Sequence, residues 1–190
     1  PITMTGSTID SGSVTYTSSD TSIVEFNCTD VRDASLVNGL AYYWAFDDGT
    51  GTKATPLAGD ANGTLASGVT WVDGKFGKGL EFDGASSYVT VPDHENPSEA
   101  LTLSIWVQST GPAWNQPGWM IEKRDAYIMH PNDGGVLVAF PVCNGGCWNL
   151  PGGWADGAAG PPDITEWHMY TGTFDSANGE WKLYVDAQLL

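Results

Sequence analysis

Cationic side chains are scarce: Lys and Arg number 7 against 23 acidic residues, giving a formal charge of −16. Apart from the adjacent Lys123 and Arg124 they are scattered, so no basic cluster is available to neutralise phosphates. That argues against nucleic acid as a partner, and against anionic membrane for the same reason. No apolar run reaches the roughly 18 residues of a membrane-spanning helix. Helical periodicity is nearly missing, since few windows repeat apolar residues every three or four positions. The chain opens at Pro1, with neither an initiator Met nor a basic-then-apolar leader. That beginning is expected of a processed or excised piece.

Cysteine is limited to three residues. Cys143 and Cys147 bracket Asn144-Gly145-Gly146, a segment flexible enough to bring them within disulfide range. A small oxidised loop is favoured over a metal site there, because no further Cys or nearby His completes a four-ligand set. Cys28 is left over, as a buried free thiol or a link to another chain. Asn27-Cys28-Thr29 and Asn62-Gly63-Thr64 match the glycosylation sequon, so Asn27 and Asn62 are candidate acceptors. Together with the expected disulfide, the sequons favour an extracellular or cell-surface setting.

Sixteen of the 23 acidic residues are Asp. Two readings of this excess stay open: a solvated, repulsive surface, of which a high-salt one is a special case, or several Asp side chains holding a hard cation such as Ca²⁺.

A chain of 190 residues fills one core of ordinary domain size and leaves little room for two. Gly (24) and Pro (11) are frequent, and with Asn and Asp they separate short extended runs. These runs are 14–17, 22–26, 40–46, 79–82, 88–91, 101–107, 119–122, 135–142, 167–174 and 181–185. Such spacing predicts an all-β, antiparallel, two-sheet sandwich or jelly roll. Leu101, Leu103, Ile105 and Val107 share one face and are expected to point into the core. Ser87, Val89 and Val91 form a second alternating set, and Trp181, Leu183 and Val185 a third. Gly172 marks a bulge or a close approach between sheets. Trp106, Trp167 and Trp181 lie in strand patterns and are read as core or interface. Residues 1–37, rich in Ser and Thr, form a separate β-rich extension: an edge hairpin, the tail of a preceding domain, or an arm that adds a strand to a neighbour. The main domain, 38–190, begins near Asn38.

From Leu40 onward the sequence resembles the laminin G-like jelly roll of the concanavalin A-like lectin and glucanase superfamily. Leu40-Ala41-Tyr42-Tyr43-Trp44-Ala45-Phe46-Asp47 looks like the opening strand of that family, and Asn62-Gly63-Thr64-Leu65 like the end of its Asn- and Gly-rich loop. The most telling stretch is Lys75-Phe76-Gly77-Lys78-Gly79-Leu80-Glu81-Phe82-Asp83-Gly84, followed by Ser87-Tyr88-Val89-Thr90-Val91-Pro92. Leu103-Ser104-Ile105-Trp106-Val107, Trp167-His168, Gly172-Thr173-Phe174-Asp175 and Lys182-Leu183-Tyr184-Val185-Asp186 continue it in family order. Family members usually carry further strands after the one matching Leu183–Val185. The resemblance therefore implies a jelly roll incomplete at its C-terminus, either a fragment or a subunit completed by another copy.

The resemblance implies calcium near one rim, with Asp60 and Asn62 in the Gly-rich loop and Asp186 in the late position. Ordinary turn hydrogen bonding is the competing reading for Asp60 and Asn62, and Asp47-Asp48 is a weaker candidate. Carbohydrate binding joins aromatic platforms to polar groups, and segment 110–160 holds Trp114, Trp148 and Trp154 with Asn115, Asn144 and Asp156 among Gly and Pro. Aromatic anchoring of long loops is the alternative for each Trp. Retaining glucanases need two facing carboxylates, but the superfamily's Glu-x-Asp-x-x-Glu pattern does not occur, and Glu81-Phe82-Asp83 shares only its first spacing. The expected function is an extracellular, non-catalytic carbohydrate-binding or adhesive module, with glycan as partner. The alternative is a structural subunit of a filament, pilus or surface layer, whose partners are neighbouring copies joined by strand complementation.

Overall fold

The computed structural model describes residues 39–114, 118–131, 135–142 and 162–190, and the backbone of three strands outside those ranges. Those three are β1 (Ser13–Thr17), β2 (Ile23–Asn27) and β12 (Trp154–Ala155). The others are β3 (Lys53–Ala54), β4 (Gly63–Leu65), β5 (Thr70–Asp73), β6 (Lys78–Glu81), β7 (Val89–Thr90) and β8 (Ala100–Val107). After them come β9 (Ile121–Lys123), β10 (Tyr127–Pro131), β11 (Val138–Ala139), β13 (His168–Asp175), β14 (Glu180–Val185) and β15 (Gln188–Leu189). Every strand pairing is antiparallel. The fold is all-β with jelly-roll-like topology, and its sheets are not closed.

Two four-stranded sheets carry the core, one ordered β15-β14-β13-β8 and the other β12-β11-β10-β9. Between them lie Met129, Val138 and Phe140 from one side and Tyr170, Leu183 and Val185 from the other. Leu101, Leu103, Ile105 and Val107 pack on this cluster, so β8 obeys the alternation read from its sequence. Trp181 does as well: its ring stacks on Phe140 at 6.3 Å, and its indole N–H donates to the Phe140 carbonyl. Gly172 sits where the sheets come closest, and a Cβ there would overlap the Phe140 ring. The glycine therefore marks a close approach. Its register with Leu103 and Leu183 is unbroken, which rules out a bulge.

The expected strand over 40–46 does not form. Only Tyr43 makes a bridge, to Ala58, and Phe46 adopts a left-handed backbone (φ 58°) that no extended run tolerates. Side chains hold this segment instead of a ladder. Tyr42 stacks on Trp44 (5.4 Å) and meets the His94 ring (4.7 Å), and the Trp44 indole donates to the Ala61 carbonyl at 3.0 Å. His94 Nε2 lies 3.0 Å from the Tyr127 hydroxyl, while Lys123 pairs with Asp93 at 2.9 Å and donates to the His94 carbonyl. These contacts tie the segment to β9 and β10.

Strand β10 was not legible in sequence because all five of its residues are buried, so it shows no alternation. The expected extended run over 135–142 contracts to Val138–Ala139. At the N-terminus, β1 and β2 form a hairpin in register from Ser13↔Asn27 to Thr17↔Ile23, close to the two runs read there.

Candidate functional site

The alternation that buries the odd residues of β8 sends Thr102, Ser104 and Trp106 to the opposite, outer face of the sheet. Antiparallel register sets Trp106 beside Met169, Ser104 beside Thr171 and Thr102 beside Thr173. Tyr184 and Lys182 of β14 extend the same rows. The Ser104 and Thr171 hydroxyls lie 2.8 Å apart. The turn between β5 and β6 then folds onto this face. Phe76 meets Trp106 edge-on (5.6 Å between centroids, 86° between planes), and Lys75 Nζ lies 5.5 Å from the Trp106 ring centre.

Phe76 is 61% exposed and Trp106 37% exposed, unusual values for large aromatics packed against each other on a sheet. The patch thus offers an aromatic platform, a bordering ammonium and a field of hydroxyls. That combination matches a ring-shaped ligand with one apolar face and a hydroxylated rim. Sequence reading placed Trp106 in the core or an interface. Its even position among odd-numbered aliphatics was the signal for the outer face, but the approach of Phe76 is a long-range contact that no local pattern reveals.

The hairpin carrying Phe76 is firmly set. Its strands pair from Thr70↔Glu81 to Asp73↔Lys78, Lys78 Nζ bonds Asp73 at 2.7 Å, and the Lys78 N–H donates to Asp47 at 2.7 Å. Asp48 accepts from the Thr55 N–H (3.0 Å), and both hydrogen bonds of Thr55 hold its carboxyl below the usual range. Asp47 and Asp48 therefore staple turns.

At the rim, Asp186 opens the two-residue β14–β15 turn with φ 49°, followed by Ala187 at φ 64°. One Asp186 oxygen accepts from the Met169 N–H (2.9 Å), and the other lies 2.6 Å from His168 Nδ1. Burial pushes the Asp186 carboxyl up, but the Met169 N–H, the His168 hydrogen bond and the charges of His168 and Lys75 outweigh it and hold it low. Surroundings that donate protons and positive charge do not suit a hard cation, which calls for several free oxygen donors. Asp60 and Asn62 are exposed in the loop leading into β4. Among the described residues, no group of three or more His, Cys, Asp or Glu is arranged to hold a metal ion. The exposure of Asn62 suits its reading as a glycan acceptor, and Asn27 is described in backbone only.

Of the expected sugar-contacting set, only Trp114 is described with its side chain. Its indole N–H donates to the Val136 carbonyl (3.2 Å), its ring meets Tyr170 edge-on at 6.3 Å, and it packs against the core cluster. These contacts are those of an anchor. Asn115, Asn144, Trp148 and Asp156 lie outside the described residues, as do Cys28, Cys143 and Cys147, and Trp154 is described in backbone only.

Asp83 accepts from the N–H groups of Ala85 (2.9 Å), Ser86 (2.9 Å) and Ser87 (3.0 Å) and from the Ser87 hydroxyl (2.7 Å). These donors drive its pKa far below the usual carboxylate range, the reverse of what a general acid needs. Its partner in spacing, Glu81, lies near the Thr70 hydroxyl at 3.4 Å. This geometry is a turn organiser's.

An open antiparallel sandwich with an aromatic, hydroxyl-rich outer face is a lectin-like architecture. Residues 83–190 match the laminin G-like family described as the concanavalin A-like lectin/glucanases superfamily, and the chain belongs to that family. The domain type is characteristically non-catalytic. No curated protein and no solved structure matches the chain.

Proposed function

We propose that the chain is an extracellular, non-catalytic carbohydrate-binding or adhesive module whose ligand lies on the outer face of β8, β13 and β14, against Trp106. The lectin-type family supports the ligand class, and the exposed Phe76–Trp106 pair bordered by Lys75 carries the location. Trp106 stacks on the apolar face of a sugar ring, while Ser104, Thr171 and Lys75 take its hydroxyls. The exposed sequon residue Asn62 supports the extracellular setting.

A glycan array probed with the whole chain tests the ligand class, and titration of a positive glycan tests the site. Replacing the platform (Trp106→Ala) lowers affinity by about tenfold or more, the loss of one well-packed aromatic contact. Undiminished binding by that variant moves the site elsewhere, with Trp148→Ala and Trp154→Ala testing residues 143–156. An array with no bound glycan overturns the ligand class itself.

A further inference from the structure

Asn-Gly is the dipeptide in which the main chain most readily attacks its own side chain, because glycine has no Cβ to hinder the approach of its nitrogen to the Asn amide carbon. The sequence holds four such pairs, and two of them, Asn62-Gly63 and Asn178-Gly179, lie wholly within the described residues. The fold treats these two in opposite ways. Gly63 is buried in β4, between β3 and β7, and a Cβ on it would stand 2.7 Å from Val89 and 3.2 Å from Ala54. Its main chain has no room to rotate.

Asn178 and Gly179 are exposed in the turn that joins β13 to β14. Gly179 has a left-handed backbone (φ 69°), and beyond its chain neighbours no atom lies within 4 Å of the position a Cβ would take. The Glu180 N–H donates to Asn178 Oδ1 at 2.7 Å, an Asx turn. The ring closed by this bond includes the Gly179 nitrogen and holds the amide carbon close to it. The Ala177 N–H donates to Asp175 Oδ1 at 2.9 Å, which fixes the other half of the turn. Among the described residues, none accepts from the Gly179 N–H.

We propose that Asn178 is a site of spontaneous deamidation, through a succinimide formed with the Gly179 nitrogen. Hydroxide takes the Gly179 amide proton, the nitrogen attacks Asn178 Cγ, and negative charge gathers on Oδ1 as the C–N bond forms. The Glu180 N–H already points at that oxygen and stabilises the charge, as an oxyanion donor does. The Cγ–Nδ2 bond then breaks, and ammonia leaves with a proton from water. Water adds to either carbonyl of the succinimide and opens it, leaving an aspartyl or an isoaspartyl residue at 178. Both products set a new negative charge beside Asp175 and Glu180, and the isoaspartyl form lengthens the main chain of the turn by one carbon. Either change loosens the end of the β13–β14 hairpin, where Glu180 pairs with Lys182 at 2.7 Å.

Peptide mapping by mass spectrometry of the unglycosylated chain, kept in mildly alkaline buffer, tests the assignment. Position 178 is expected to convert faster than position 62 by about tenfold or more. In heavy-oxygen water each conversion takes up one labelled oxygen, and the rate climbs with pH as hydroxide does. Urea is expected to erase the difference, since it frees Gly63 and dissolves the Asx turn. Glu180→Pro removes the donor to Oδ1 at the first residue of a strand, where proline is tolerated. It is expected to slow conversion of Asn178 by about tenfold, the rate equivalent of one hydrogen bond. Far-ultraviolet circular dichroism reports whether that variant is folded, and the comparison of the two positions needs no variant. Conversion at 62 that matches or exceeds 178 in the folded chain, a difference that survives in urea, or a folded Glu180→Pro variant that reacts like the unmodified chain each overturn the proposal.

Discussion

The ring of Phe140 occupies the space in which residue 172 would carry its Cβ, so Gly172 and Phe140 together set the spacing of the two sheets. Gly172 lies in the middle of β13, a strand paired on both sides, and the backbone cannot yield without disturbing two ladders. Gly172→Ala is expected to cost about 1–3 kcal/mol, the range for overpacking a filled core. Urea unfolding measures it. The double variant with Phe140→Leu is expected to be more stable than the sum of the single losses, because the smaller side chain frees the disputed space.

The left-handed Ala187 stores strain of the opposite kind. A two-residue hairpin loop wants positive φ at both central positions, which Asp tolerates and Ala resists. Ala187→Gly is expected to raise stability by about 0.5–1 kcal/mol, net of the extra freedom glycine gives the unfolded chain. Thermal unfolding of the pair of proteins reads the shift.

Two tryptophans differ in what they leave to solvent. Trp114 spends its indole N–H on Val136 and its ring on Tyr170, whereas Trp106 leaves over a third of its surface to solvent. Trp114→Ala is expected to lose about 3 kcal/mol of unfolding free energy, and Trp106→Ala no more than about 1 kcal/mol. In glycan titration the ranking reverses, with Trp106→Ala the more damaging.

Asp83 and Asp186 carry acid-sensitive parts of the fold. Both have carboxyls held below the usual range, Asp83 by the N–H groups of Ala85, Ser86 and Ser87 and by the Ser87 hydroxyl, Asp186 by Met169 and His168 against the opposing pull of burial. A carboxyl whose folded pKa is depressed contributes stability that is present above its unfolded pKa of about 3.9, and that stability drains away as pH falls through the folded value. Unfolding free energy is therefore expected to fall as the solution is acidified below about pH 4. Asp83→Asn and Asp186→Asn are each expected to flatten that fall, as followed by urea denaturation at successive pH values.

The strands that could be read beforehand are those wet on one side. β8 and β14 alternate because one face meets Phe140 and its neighbours while the other meets water. Burial of every β10 residue erased that signal, and the left-handed Phe46 interrupted a run whose composition looked extended. On the outer face of β8, the position of Trp106 was implicit in the parity of the strand, yet Lys75 and Phe76 arrive from a hairpin about thirty residues upstream, and sequence spacing carries no record of that return. The carboxylates of Asp47 and Asp48 looked like metal ligands by type, and that of Asp83 shared a catalytic spacing with Glu81, but the donors that consume them include backbone amides, which no side-chain pattern displays.

The wall beside Trp106 stands on residues 73–78, outside the matched stretch 83–190. The hairpin is nevertheless pinned independently of the sheet it overhangs, by its own ladder and by the Asp47 carboxylate. Exchange of Lys75 and Phe76 for small polar residues is therefore expected to strip the wall from Trp106 while the far-ultraviolet circular dichroism of the sheet stays as it was.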